Sequence, residues 1–183
     1  MKYLKLVPLV GVIFVAHSAI AASSFDDLKP RLQKITQCDA SEFPATKKQK
    51  SDLDRFGKSL RQAGVKAKTV GDGGIEDEVQ YRLPSSVTVF GHDVKLIGNY
   101  QAPFVKIDFP VSRQELVQLI TASTGMKLVL NKTTDAYELV TKPKLKSEDK
   151  KYPFEQNIFV SSNGKSGSTY VCNYQATDPD AGQ

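Results

Sequence analysis

Two cysteines, Cys38 and Cys172, are the only cysteines in this chain of 183 residues, and they lie near its two ends. Cys172 sits within STYVCNYQ, a run whose β-rich composition predicts the last strand of the fold. If the two thiols are joined, everything between them is held in one closed loop. Whether they join depends on the compartment, because disulfides persist in oxidising compartments and are rare in reducing ones.

The N-terminal stretch MKYLKLVPLVGVIFVAHSAIAA has the three parts of a secretory signal peptide. Two lysines give it a positive start, residues 6–16 are apolar, and Ala19 and Ala21 are small residues of the kind that a signal peptidase reads. The apolar part is shorter than the about 20 residues that span a membrane, which favours a cleaved signal over a membrane anchor. We therefore expect residues 1–21 to be removed, leaving a periplasmic or secreted protein with no transmembrane segment.

In an oxidising compartment two cysteines allow one pairing, Cys38 with Cys172. This link closes a loop of about 135 residues, for which the chain-entropy model gives about 5 kcal/mol of stabilisation. The alternative is two separate buried thiols. We predict the disulfide, which makes both cysteines structural and leaves no thiol nucleophile for catalysis.

The charge of the chain argues against nucleic-acid binding. Loss of Lys2 and Lys5 with the signal lowers the formal net charge from +5 to +3. That value falls short of the clustered positive charge that nucleic-acid binders carry. The remaining residues 22–183 suffice for one domain, or for two small halves that share a core.

Apolar residues at helical spacing predict three helices. In the first, an apolar stripe contains Pro30, which predicts that the regular helix begins only near Lys29. The second lies between Thr46, a candidate cap, and Gly64, a candidate stop. The third has the strongest local signal, because Ser112 and Glu115 form a capping box and Gly125 follows the helix. The apolar stripes of the first two helices are Phe25, Leu28, Leu32 and Ile35, and Leu53, Phe56, Leu60 and Ala63.

Alternation with a period of two predicts strands between and after these helices. Before the third helix the chain reads as strands at 78–83, 87–90, 94–100 and 104–109, with turns at 84–86 and 91–93. After it, two further hairpins join MKLVL to AYELV and NIFVSS to STYVCNY. Successive hairpins favour an antiparallel sheet with the helices packed on one face.

The predicted architecture is therefore α+β, with two or three helices, one antiparallel sheet and one disulfide. Residues 22–175 are expected to form a single domain, and residues 176–183 a flexible tail. The halves 45–110 and 111–175 read either as a tandem repeat of one helix and four strands or as ordinary α+β alternation. The layout resembles that of secreted proteins of the β-lactamase-inhibitor type, which pair two α–β repeats; the resemblance is one of layout alone.

No complete catalytic set is recognisable. Mature residues include one histidine, His92, between Gly91 and Asp93 in a predicted turn, and no G-x-S-x-G motif accompanies it. We interpret His92 as a solvent-facing turn residue. The acidic loop at 72–78 lacks the spacing of a calcium-binding loop, and the ligands for a zinc site are missing, so we predict no metal and no cofactor.

Aromatic and basic residues near turns and connections form the candidate binding surface. The candidates near turns are the aromatic residues Phe90, Tyr100 and Phe104, together with His92; core packing explains the aromatic residues equally well. Lys144 and Lys146 lie in a lysine-rich connection that reads as a solvated loop or as a contact for an anionic surface.

These observations favour a non-enzymatic binding protein of the cell envelope, most concretely an inhibitor or immunity protein of a secreted enzyme, with a protein as its partner. Two alternatives stay open. One is a small envelope hydrolase using His92 with Asp93 or Glu76. The other is an accessory protein that binds lipid or cell-wall polymer through the lysine-rich connection.

Overall fold

The structure is a computed structural model, which describes residues 24–42, 47–71, 77–99, 104–141, 154–164 and 166–176. The predicted signal peptide, the lysine-rich connection at 142–153 and residues 177–183 lie outside the described residues. The helices are α1 (Phe25–Thr36), a 3₁₀ turn (Ala40–Glu42), α2 (Lys47–Gln62) and α3 (Arg113–Thr124). The strands are β1 (Lys66–Val70), β2 (Glu78–Val89), β3 (His92–Asn99), β4 (Phe104–Phe109), β5 (Val129–Asn131), β6 (Ala136–Thr141), β7 (Phe154–Ser162) and β8 (Ser168–Ala176).

All eight strands form one antiparallel sheet in the order β1-β2-β3-β4-β8-β7-β6-β5. Each strand pairs with its chain neighbour, except where β4 meets β8 in the middle of the sheet. The predicted α+β class, the antiparallel sheet and the helices on one face are confirmed. The strand order is the one that two units of a helix and four strands would give, but the tandem repeat itself stays a prediction.

The first helix begins earlier than predicted. Ser24 caps α1 in a capping box with Asp27, and the helix continues through Pro30 to Thr36. The expectation of a start near Lys29 was therefore wrong. The cap satisfies the first backbone N–H groups, and buried Phe25 and Leu32 anchor both sides of the proline to the core, which offsets the hydrogen bond that proline cannot make.

The ends of the other helices follow the sequence signals. Gly64 after α2 and Gly125 after α3 adopt positive φ values of 92° and 74°, which glycine reaches without a steric penalty. The Ser112 side chain accepts a hydrogen bond from the Glu115 backbone N–H at the start of α3. Local chemistry therefore sets both ends of α3 and the end of α2, while Thr46, the predicted cap of α2, lies outside the described residues.

The turn predicted at 84–86 is wrong, because these residues lie inside β2. Pro84 is accommodated where the pairing of β2 with β3 shifts register between Arg82 and Val87. Such a bulge is one of the few places where a proline fits in a sheet. Opposite the shift, the consecutive residues Lys95 and Leu96 are both exposed, so the bulge turns Leu96 away from the core.

The disulfide between Cys38 and Cys172 is confirmed, with both residues fully buried and their Cα atoms 5.8 Å apart. It joins the end of α1 to the middle of β8, where Val105 and Ile158 are the neighbours of Cys172 on the flanking strands. The Gln156 side-chain amide donates to the Cys38 carbonyl from the same side of the sheet. The helices and this face of the sheet enclose the hydrophobic core.

Candidate binding surface

The second face of the sheet, which we call the open face, lies opposite the helices. One row of paired residues crosses it on all eight strands, because each member faces its partner on the next strand. The row consists of Lys68, Gln80, Gly98, Lys106, Val171, Phe159, Glu138 and Val129. The register thus places polar, charged and apolar side chains on a single surface.

Three cations at the β1 end of the open face form what we call the basic stripe: Lys66, Lys68 and Arg82. All three side chains are exposed, and Lys66 is the direct partner of Arg82 across β1 and β2. Like charges opposite each other destabilise a sheet. Within the described residues none of the three forms an ion pair, so the repulsion has no local compensation there.

Exposed apolar side chains accompany the charges. Leu96 is the partner of Arg82 on β3 and is 44% exposed, which places an apolar side chain directly beside the basic stripe. At the other end of the sheet Val129 and Val140 are 71% and 56% exposed. Single exposed apolar residues are common, so the feature of interest is Leu96, which lies directly beside the cations.

A fixed ion pair lies at the centre of the β1–β4 half of the open face. Lys106 Nζ is 2.7 Å from Glu78 Oε2, and the Gln80 side chain donates to Glu78 Oε1 at 3.1 Å. The Glu78 carboxylate lies over Gly98, where a Cβ would come within 2.5 Å of its Oε1. Glycine at this position therefore allows the ion pair to lie flat against the sheet, in a shallow depression of about 80 Å³.

The β5–β6 end carries negative charge instead. Hydrogen bonds from the Thr134 hydroxyl and, to a smaller extent, from the Asn131 amide lower the pKa of Glu138 below its ordinary value of 4.5. Glu138 is therefore ionised near neutral pH. The open face therefore carries three cations at its β1 end and one carboxylate, Glu138, near its β5–β6 end.

Among the predicted site residues, the structure describes the side chains of Phe90 and His92, which both contact Phe109. Phe90 is 2% exposed, with its ring centroid 5.1 Å from that of Tyr170, so core packing is the interpretation that the structure supports. His92 opens β3 and is half-buried against Phe109, at 5.6 Å between ring centroids, so it is not the solvent-facing turn residue that was predicted. Tyr100, Lys144 and Lys146 lie outside the described residues, as does the side chain of Phe104.

The hydrolase hypothesis gains no support from the neighbourhood of His92. His92 and Asp93 are consecutive on β3, so their side chains point to opposite faces of the sheet. The Asp93 carboxylate instead lies 3.4 Å from the Thr88 hydroxyl, which donates to it. Glu76 lies outside the described residues. Among those residues no three His, Cys, Asp or Glu side chains are placed to hold a metal ion.

The basic stripe was missed in the sequence. The alternation of lysine in VKAKTV, with Arg82 at the same spacing in the next strand, could have shown that these side chains share a face. What the sequence could not show was the pairing register, which sets Lys66 opposite Arg82.

Comparison of the chain with protein families, with curated proteins and with solved structures found no match. In the described part of the chain, no helix has both the length and the apolar character needed to span a membrane.

Proposed function

We propose that this chain is an exported binding protein whose open face docks onto another protein, most concretely as an inhibitor or immunity protein of a secreted enzyme. The observation that carries the proposal is the basic stripe beside exposed Leu96 on a sheet face that lies opposite the helices. Charge complementarity then defines the partner as a folded protein that presents acidic residues around an apolar contact.

The size of the open face suits such a partner. Eight strands spaced about 4.8 Å apart give a face about 34 Å wide. A standard protein interface buries about 800 Å² on each partner, which corresponds to a patch about 28 Å across. A rigid sheet also loses little conformational freedom on binding, so less of the interaction energy is spent on ordering the surface.

The polar groups near the centre of the open face are held in place by contacts with one another. Glu78, Gln80 and Lys106 already hold one another in place before any partner arrives. Asp108 is fixed similarly, because it accepts hydrogen bonds from Thr169 at 2.5 Å and from Asn163 at 3.3 Å. The basic stripe is the part with spare hydrogen-bonding capacity, so we assign to it the contacts with the acidic partner.

The buried disulfide is compatible with folding in an oxidising compartment, in line with the proposed export. A cleaved signal peptide is part of the same proposal. N-terminal sequencing of the protein recovered from its host would show a start near residue 22.

The experiment is affinity capture from an envelope extract with residues 22–183 as bait. The test variant reverses the basic stripe (K66E, K68E, R82E). The control reverses three exposed lysines that lie outside the basic stripe, on α2, before β5 and in the β5–β6 turn (K58E, K127E, K132E), which changes net charge equally.

Support requires one protein that the wild type and the control retain, that the stripe variant loses, and that added salt releases. Equal capture by the two variants would refute the proposal. Three other results would also refute it: capture that nuclease treatment abolishes, binding to anionic lipid vesicles alone, and dimerisation of the chain through this face. In each case something other than a second protein occupies the open face.

A further inference from the structure

We infer that the space between α2 and the sheet is a binding site for a small organic anion with a compact apolar body. This space, the α2 cavity, measures about 160 Å³. Its apolar walls are Leu32 from α1, Leu60 from α2, and Leu83, Ile97 and Val105 from the sheet. It lies on the helix side of the sheet, behind the open face, so it is separate from the proposed docking surface.

The volume sets the size of the ligand. Protein interiors are close-packed, and few voids exceed the size of a water molecule. An apolar cavity of about 150 Å³ holds one benzene molecule. One aromatic ring, or a short branched chain, therefore matches the apolar part of the α2 cavity.

Gly57 keeps one wall of the cavity open. Glycine in the interior of a helix costs about 1 kcal/mol relative to alanine, so Gly57 destabilises α2. Crowding does not explain why glycine occupies this position, because a Cβ there would contact only Arg61 Nη1, at 3.9 Å. What the missing side chain does provide is space, because Gly57 lines the cavity itself.

Three polar side chains reach the same cavity: Arg61, Tyr81 and Asn99. Within the described residues none of them makes a side-chain hydrogen bond or an ion pair. Arg61 is exposed, while Tyr81 and Asn99 are half-buried. An arginine fork pairs with a carboxylate through two parallel hydrogen bonds, so Arg61 defines the charged end of the ligand as an anion, with Tyr81 and Asn99 as further donors.

The test measures binding of three probes of similar size: phenylacetate, neutral benzyl alcohol and cationic phenethylamine. Methyl NMR spectra report the site, because Leu60, Leu83 and Ile97 line the cavity. We expect saturable shifts of these methyl signals with phenylacetate, weaker shifts with benzyl alcohol and the weakest with phenethylamine.

Two substitutions separate the apolar and the charged contributions. Gly57→Leu fills the cavity and should abolish the shifts from all probes, whereas Gly57→Ala fills only part of it and should weaken them. Arg61→Gln should weaken phenylacetate by about tenfold and leave benzyl alcohol unchanged. Lys58→Gln, which removes an exposed charge from the neighbouring position of α2, is the matched control and should change neither.

Absence of methyl shifts with all three probes would overturn the inference, as would equal affinity for the anion and the cation. If Gly57→Leu does not fold, the effect of Arg61→Gln on phenylacetate binding is the deciding measurement. Arg61 is exposed, so its replacement should leave the fold intact. The basic stripe variant should bind phenylacetate normally, so failure of this inference and failure of the proposed function are distinguishable.

Discussion

A double variant, Cys38→Ala with Cys172→Ala, opens the loop that the disulfide closes and leaves the other core side chains in place. The cysteines are 134 residues apart in the sequence. The chain-entropy model gives about 5 kcal/mol for a loop of that length, and most native disulfides contribute about 2–4 kcal/mol. We therefore expect the free energy of unfolding to fall by about 3–5 kcal/mol, a large fraction of the stability of an ordinary domain.

Urea unfolding followed by far-UV circular dichroism measures this change, since the chain has no tryptophan to report by fluorescence. The disulfide acts mainly on the unfolded chain, which it keeps more compact. The double variant should therefore show a larger m-value as well as a lower midpoint. Both sulfur atoms are buried, so the folded wild type should resist a reductant that cleaves the bond once urea has unfolded the protein.

Wild type that has been unfolded, reduced and refolded in reductant is the control, and it should match the double variant closely. A loss of less than about 1 kcal/mol with an unchanged m-value would refute this reasoning, because the loop constraint would then contribute little.

Three further changes test local parts of the structure. Thr134→Val should raise the pKa of Glu138 toward its ordinary value of 4.5, as measured by carboxyl NMR. Because folding lowers this pKa, the ionised carboxylate stabilises the fold above pH 4.5, and that stabilisation is lost as the pH falls through the folded-state pKa. Gly98→Ala should displace the Glu78 carboxylate and cost about 1 kcal/mol in urea unfolding, and should cost much less in a Glu78→Ala background. Tyr170→Phe should leave the urea midpoint unchanged or raise it, because the buried Tyr170 hydroxyl has no hydrogen-bond partner among the described residues; a loss above about 1 kcal/mol would contradict this.

The features that the sequence predicted well are those set by local chemistry. Ser112 and Gly125 delimit α3 because a cap and a left-handed glycine act within a few residues. The disulfide was predictable because a chain with two cysteines and a predicted signal peptide leaves one pairing. Period-two alternation located most strands, although β5 is shorter than MKLVL suggested, with Val129–Asn131 only.

The features that it predicted poorly depend on partners distant in sequence. Pro84 reads as a turn, but the register shift between β2 and β3 absorbs it within a strand. Phe90 reads equally as an interface anchor or as a core residue, and only the packing against Tyr170 decides between the two. The open face depends on which strands are neighbours, so Lys66, Arg82 and Leu96 meet only once the sheet is formed.

The most direct test of the proposed function is zero-length cross-linking of the mature protein to its captured partner, because a carbodiimide couples a lysine amine only to a carboxylate in contact with it. The account predicts links from Lys66 and Lys68 to aspartate or glutamate residues of one partner protein, with no links from the control lysines Lys58, Lys127 and Lys132. Links that come mainly from the control lysines, or a bound partner that leaves Lys66 and Lys68 free to react, would contradict the proposal that the basic stripe contacts the partner.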